Sequence, residues 1–281
     1  MKNKINWPRI TIVTPSFNQG KFLEETIQSI LNQNYPNLEY FIIDGGSTDN
    51  SVDIIKKYED KIDWWVSEKD AGQSDALCKG FERATGELLG WLNSDDLYFP
   101  SVLFKIGEIY DRDPDACIYA GGIAIGEMGT GKIKKCSCPI SPRKIFSRHG
   151  LLGFGQPSMF FKSEDYRQIG GLRKDLHIRM DGDIMFRLIQ HNPKVVIVDE
   201  VISFFRVHET SKSMIAVTRY IEETDDFLKS INLSKLRLAT LKIFYKIYKM
   251  SIGGYFQSYL VTYRYKGKSM SEIWASSNLQ P

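Results

Sequence analysis

The chain has 281 residues, with 37 Lys and Arg against 34 Asp and Glu, a formal net charge of +3. Hydrophobic residues make up 42%, aromatics 12% and charged residues 25%, values that exclude a disordered, collagen-like or coiled-coil chain and fit one large domain or two intimate ones. A bulk charge of +3 by itself predicts no polyanion partner.

The first strand is expected at Ile10-Thr-Ile-Val-Thr-Pro15, a β-branched run ended by Pro. After the loop Ser16-Phe17-Asn18-Gln19-Gly20, apolar residues at Leu23, Ile27, Ile30 and Leu31 have helical spacing. A second strand, Tyr40 to Ile43, leads into Asp44-Gly-Gly-Ser-Thr-Asp49 and a helix through Val52, Ile55 and Tyr58, with Ser47 or Thr48 as its cap. The third unit is a strand from Trp64 to Ser67, a loop from Glu68 to Gln73, and a helix carrying Leu77, Phe81 and Ala84 on one face. A fourth strand, Leu88 to Leu92, runs into Asn93-Ser-Asp-Asp96, and Pro100 opens a further helix. This regular alternation predicts an α/β fold with a mostly parallel sheet flanked by helices.

The second half is less regular. Tyr119 to Ile125 reads as a strand, Gly126 to Lys135 as a hairpin or flap, and Ser158 to Phe161 as a short strand before a helix that starts at Ser163 and ends at Gly170-Gly171. Met180-Asp-Gly-Asp183 precedes an amphipathic stretch, Ile184 to Ile189. Val195 to Val198 and Ile202 to Val207 read as two strands, and the pattern turns helical from Met214. The four cysteines have no metal-site spacing and are expected as reduced thiols. Residues Met1 to Pro8 lack the apolar core of a signal peptide. The longest uncharged stretch near the C-terminus, Met250 to Tyr263, has 14 residues, too few for a spanning helix, which takes roughly 20.

In open α/β sheets ligands bind beyond the carboxyl ends of the strands, where this chain places Ser16/Asn18, Asp44, Asp70/Gln73/Asp75 and Asn93/Asp95/Asp96. Four polar clusters at one edge predict a cleft. Asp95-Asp96, directly after an apolar strand, can hold a hard divalent cation whose other ligands come from a diphosphate; a helix N-cap explains the pair equally well. Asp181 and Asp183 at a helix start suit a general base or a cap. His208, in Phe204-Phe-Arg206-Val-His208, can reach a metal or diphosphate, or serve structure alone. His149, His177 and His191 have no companions that single them out.

Taken together, Thr14-Pro-Ser-Phe-Asn18, Ile42-Ile-Asp-Gly-Gly-Ser-Thr-Asp49, Gly86-Glu-Leu-Leu-Gly-Trp-Leu-Asn-Ser-Asp-Asp96, Met180-Asp-Gly-Asp-Ile184 and Phe205-Arg-Val-His208 resemble the motifs of family 2 glycosyltransferases with the GT-A fold, in that family's order over roughly residues 8–210. The resemblance implies a GT-A, Rossmann-like domain over 1–215, split into a nucleotide-sugar half (8–105) and an acceptor half (106–215), with a basic helical segment at 216–281. It implies inverting transfer from a nucleotide diphosphate sugar, with UDP as the expected carrier, to a glycan or polyprenyl-linked acceptor. Pro15, Ser16 and Phe17 would line the base, with Phe17 stacking on it, Asn18 would also meet the nucleotide sugar, Asp44 would accept from a base N–H, and Asn93, Ser94 and Asp95 fall on the Asp-x-Asp motif. Asp95, Asp96 and His208 would serve a Mn2+ or Mg2+ ion. Asp181 would deprotonate the acceptor, with Asp183 as the alternative base. The segment Asp70-Ala-Gly-Gln-Ser-Asp-Ala76 resembles a subgroup in bacterial surface-polysaccharide assembly and brings Gln73 and Asp75 toward the donor sugar. Gln156-Pro-Ser-Met159 and the loop from Gly121 to Lys135 would flank the acceptor. Three departures stand out: Asn93 for the first Asp of Asp-x-Asp, Met180 for the Glu of Glu-Asp, and Gly45 for the second Asp of Asp-Asp-Gly-Ser. Asn93 and Met180 keep open a non-catalytic nucleotide-sugar binding protein. A sugar-phosphate nucleotidyltransferase would want a basic, Gly-rich loop after the first strand, and Ser16 to Lys21 matches that poorly.

The total of +3 hides a partition. Residues 229–281 carry nine basic side chains and one acid, Glu272, which gives +8 and leaves −5 on the first 228. Leu236, Thr240, Ile243 and Ile247 share a helical face, with Lys242, Lys246 and Lys249 elsewhere on the helix. Residues 229–268 fit either an interfacial helix on anionic lipid or a helical subdomain packed on the core or a second subunit. No nucleic-acid motif accompanies the charge. The expected location is the cytoplasm, peripheral to the inner face of the cell membrane.

Overall fold

β1 (Ile10–Ser16), β2 (Leu38–Asp44) and β4 (Leu88–Trp91) are buried almost end to end, as strands covered on both faces of a parallel sheet must be. The structure is a computed structural model that describes residues 6–139, 151, 153–209, 211 and 217–277. His149 and Met214, named above, lie outside the described residues. With β3 (Trp64–Ser67), the strands pair in parallel in the order β3-β2-β1-β4. α1 (Gly20–Leu31), α2 (Ser51–Lys57) and α3 (Gln73–Arg83) cross between them.

Side chains alternate across this sheet with period two. Ile10, Ile12, Tyr40 and Ile42 join one core with Leu23, Ile27 and Ile30 of α1. Val13, Phe41, Ile43 and Leu89 join the other with Leu77 and Phe81 of α3. α3 lies so close to β1 that a Cβ on Gly80 would sit 2.5 Å from Val13 Cγ1.

The second half extends the same sheet. After β5 (Leu97–Tyr98) and α4 (Val102–Arg112) come β6 (Ile118–Gly126), β7 (Ile133–Ser137), β8 (Met159–Lys162), α5 (Ser163–Gln168), α6 (Met180–His191) and β9 (Val195–Phe205). The order continues β4-β8-β6-β9-β5, with β7 paired to β6. β8 is antiparallel to both β4 and β6 and so joins the two halves, while β6 and β9 are parallel. The result is the mixed α/β sheet expected, parallel from β3 to β4.

Several local expectations change. The two strands expected at 195–198 and 202–207 are one, β9, because its register against β6 shifts at Gly122 and lets the exposed Asp199 and Glu200 bulge without ending the strand. α2 is not capped by Ser47 or Thr48; Asn50 is its N-cap residue, and Asp49 accepts the Ser51 N–H at 3.0 Å and the Gly20 N–H at 2.9 Å. Asp95 and Asp96 do not cap α4, since β5 stands between them and the helix.

α7 (Val217–Ser230), α8 (Lys235–Ser251), α9 (Gly254–Tyr265) and α10 (Met270–Ser276) follow. Met270 and Ile273 of α10 are buried in the α1-side core, so this segment is docked on the body. Among the described residues no helix is long and apolar enough to cross a membrane.

Candidate active site

β1 has β2 on one side and β4 on the other, so the chain leaves this point of the sheet in opposite directions and a crevice opens beyond the strand ends. The crevice is a cleft of about 470 Å³. Pro15, Ser16 and Phe17 enter it from β1, Gly45 from β2, Lys69, Asp70, Gly72 and Gln73 from the turn into α3, and Asn93, Ser94 and Asp95 from β4. Gly72 turns the chain at φ +112°, a backbone region L side chains rarely adopt. Phe17 is 59% exposed and offers a ring face to the opening. Ser16 Oγ is buried and has no hydrogen-bond partner among the described residues.

A second chamber of about 360 Å³ adjoins the first and shares Gln73, Asn93 and Asp95 with it. Its other walls include Ile123 and Ile125 of β6, Gln156 and Pro157, His177, Met180 and Asp181. Asp95 therefore stands on the wall between two chambers.

The partition is held by amides. Asn93 Oδ1 accepts from Gln73 Nε2 at 2.7 Å and from Trp91 Nε1 at 3.1 Å. Asn93 Nδ2 donates to Gln156 Oε1 at 3.2 Å and to Asp96 Oδ2 at 3.5 Å, and Gln156 Nε2 donates to the Trp91 carbonyl at 2.7 Å. An Asp at position 93 could not make those donations. Thr26 Oγ1 of α1 donates to the carbonyls of Ser94 and Asp96, 2.9 Å each, and fixes the turn.

His208, just beyond β9, places Nε2 2.9 Å from Asp95 Oδ2, with its ring against Phe22 at 4.6 Å. Asp96 is fully buried and accepts the Arg206 N–H at 3.1 Å. Burial, reinforced by the Asp95 charge, pushes its carboxyl well above the usual range. Among the described residues no three His, Cys, Asp or Glu side chains converge as a protein-only metal cage. Asp95 instead presents one carboxylate at the cleft wall, backed by the His208 imidazole, a partial donor set that suits a divalent cation completed by phosphate and water.

On α6 the two aspartates diverge. Asp181 lines the second chamber and accepts the Gly182 N–H at 2.6 Å. Asp183 is buried and bound to Arg187, whose Nε and Nη2 lie 2.8 and 2.7 Å from Oδ2. Met180 is buried, its sulfur accepting from Ser74 Oγ at 2.9 Å, so the side chain at that position packs instead of ionising. The turn before α6 is fixed by Glu223 of α7, which accepts the N–H groups of His177, Ile178 and Arg179 at 3.0, 3.0 and 2.9 Å. Burial opposes the Glu223 charge, but those three amides and Arg219 outweigh it and lower its pKa.

Of the residues anticipated for the nucleotide sugar, Pro15, Ser16, Phe17, Gln73, Asn93 and Ser94 meet at the cleft. Asp44, Asn18 and Asp75 are not on its wall. Asp44 is buried and accepts from the Gly46 and Ser47 N–H groups and the Ser47 and Ser67 hydroxyls. Asn18 Oδ1 accepts the Thr48 N–H at 2.8 Å, tying the β1 loop to the β2 loop. Asp75 faces Lys79 and Lys174, at 3.6 and 3.5 Å. Asp70, named above among the strand-end clusters but given no ligand role, reaches the cleft together with Lys69, which was not singled out. Burial raises the Asp70 pKa.

The model of glycosyl transferase family 2 matches residues 11–170, more than half of the chain. The chain belongs to glycosyl transferase family 2. Among curated family relatives, a putative teichuronic acid biosynthesis glycosyltransferase, TuaG of Bacillus subtilis (strain 168), is 34% identical over 141 residues, 48% of this chain and 56% of that protein. An uncharacterized glycosyltransferase of Rickettsia felis is 27% identical over 200 residues, 66% of this chain but only 32% of its own length. The chain thus spans about a third to a little over half of these two relatives. Among solved structures, S. aureus TarS in complex with UDP-GlcNAc aligns with TM-score 0.58 at 15% identity, over 72% of this chain and 60% of the other. A Pyrobaculum calidifontis mannosyltransferase in complex with GDP-Man and Mn2+ aligns with TM-score 0.59 at 20% identity, over 81% and 65%. At these identities the structures establish the GT-A fold for this family 2 chain.

Proposed function

We propose that this family 2 member transfers a sugar from a nucleoside diphosphate donor to a hydroxyl of a glycan or lipid-linked acceptor, with inversion at the anomeric carbon. The observation that carries this reading is the position of Asp95 on the wall shared by two chambers, one suited to a donor and the other to an acceptor. The comparisons support a nucleotide-sugar donor, since the TarS and mannosyltransferase structures hold UDP-GlcNAc and GDP-Man. TuaG, described for teichuronic acid biosynthesis, favours a surface glycan as product.

In the first chamber the exposed Phe17 ring stacks on the base and Pro15 walls it. The four donors on Asp44 leave it shaping the loop, so the carboxylate that takes a base N–H is Asp70. The unpartnered Ser16 hydroxyl and the Asn93 amide meet the donor's polar atoms, and Gln73 approaches the sugar. Asp95, with His208 beside it, would hold a divalent cation, Mn2+ or Mg2+, which when bound would neutralise charge on the leaving diphosphate. Asp96 supports that site from behind.

In the second chamber Asp181 takes the proton of the acceptor hydroxyl. The acceptor oxygen forms its bond to the anomeric carbon as the bond to the phosphate oxygen breaks, and the electron pair leaves with the nucleoside diphosphate. One in-line displacement inverts configuration with no enzyme-bound sugar. The expected setting is the cytoplasmic face of the cell membrane.

Calorimetric titration with UDP-sugars tests the donor site. The reading requires binding that tightens with Mn2+ and an Asp95→Ala variant that loses this enhancement. Equal affinity and equal turnover in wild type and Asp95→Ala would overturn it.

A further inference from the structure

α9 is amphipathic with its polar side inward. Ser258 and Thr262 face the body, their hydroxyls accepting the Cys138 and Cys136 N–H groups at 3.1 and 2.8 Å on and just beyond β7. Phe256, Tyr259, Leu260 and Tyr263 face outward, 51–82% exposed. α8 packs beside it and repeats the arrangement, with Ile243, Phe244, Ile247 and Met250 exposed while Lys249 is buried and donates to the Cys138 carbonyl. Eleven large apolar or aromatic side chains stand exposed between Leu236 and Tyr263. An apolar surface of this extent marks an interaction face.

The charge on this face selects its occupant. Between Asp226 and Glu272 the sequence has nine Lys and Arg and no acid; Lys229 and Lys235 pair with Asp226 and Asp225 and Lys249 is buried, while Arg237, Lys242, Lys246 and Arg264 stand exposed on the two helices. A second copy of the same face would oppose cation to cation. An anionic bilayer matches both features, taking the apolar side chains into the headgroup–acyl boundary, Tyr at the interface, and Lys and Arg against phosphate.

We propose that the α8–α9 hairpin is a docking surface for anionic lipid. This goes beyond sugar transfer. One consequence rests on the transfer reading: β7 pairs with β6, whose Ile123 and Ile125 wall the second chamber, so the docked hairpin sets that chamber beside acceptors carried by the membrane.

Co-sedimentation of the full chain with vesicles tests it. The protein should pellet with vesicles of phosphatidylglycerol and phosphatidylcholine in equal parts, stay in solution with phosphatidylcholine alone, and be released by salt. A Phe256→Ser/Tyr259→Ser/Tyr263→Ser variant and a Lys242→Glu/Lys246→Glu variant should each partition at least about tenfold less, with unchanged circular dichroism. No binding, equal binding to both vesicle types, or a dimer in ultracentrifugation that either variant dissociates would overturn the proposal. Donor titration on the same variants reads the transfer function separately, because neither changes a residue of the two chambers.

Discussion

Asp181 and Asp183 lie two positions apart on α6 and have different environments, one on the wall of a chamber and one closed in an ion pair with Arg187. Asp181→Asn should lower turnover by about 10²–10⁴ with donor affinity unchanged, which steady-state kinetics and calorimetry read together. Asp183→Asn should retain turnover but lose about 1–3 kcal/mol of stability, because the half-buried Arg187 guanidinium loses its counter-charge. Asn93 gives a third case. Asn93→Asp removes the donor to Gln156 and sets a second carboxylate against buried Asp96, so a denaturant titration should show a loss of about 1–3 kcal/mol. The motifs located Asn93, Asp95, Asp181 and His208 in the sequence. They could not reveal that Asp44 turns into its own loop or that Asn18 reaches across to the β2 loop. Residue type gives hydrogen-bonding capacity, while direction comes from the backbone that the tertiary fold imposes.

Among the elements, α7 acts on the site from outside its walls. Its Glu223 gathers three backbone N–H groups of the turn that precedes Asp181. Because the folded pKa of Glu223 is lowered, its contribution is full above the unfolded value of about 4.3 and is lost as pH falls through the folded value. Glu223→Gln should therefore lower Tm at neutral pH, by about 1–3 kcal/mol of stability, with the gap to wild type closing below about pH 4. A gap that is constant with pH would remove the charge from the explanation. The β-α units were legible because their apolar runs and helical spacing are local. The fusion of β9 was not, since its bulge depends on register against β6. Nor was the Glu223 contact, which joins residues 44–46 positions apart.

For the molecule as a whole, one mixed sheet puts four loops at one edge and lets β8 tie the parallel first half to the second half. The net charge of +3 resolves into a −5 portion that contains the carboxylates of both chambers and a +8 portion that carries the α8–α9 face. Alternation of strands and helices made the fold class readable from the sequence. The docking of α9 on β7 was not readable, because the helix meets the body with Ser and Thr and keeps its aromatics outside. The most direct test of the account is release of nucleoside diphosphate from a panel of nucleotide sugars with Mn2+, comparing wild type with Asp181→Asn. The account predicts release from at least one UDP-sugar by wild type and loss of about 10² or more in Asp181→Asn. Binding of a nucleotide sugar with no release from any of them, with or without glycan and polyprenyl-linked acceptors, would contradict it.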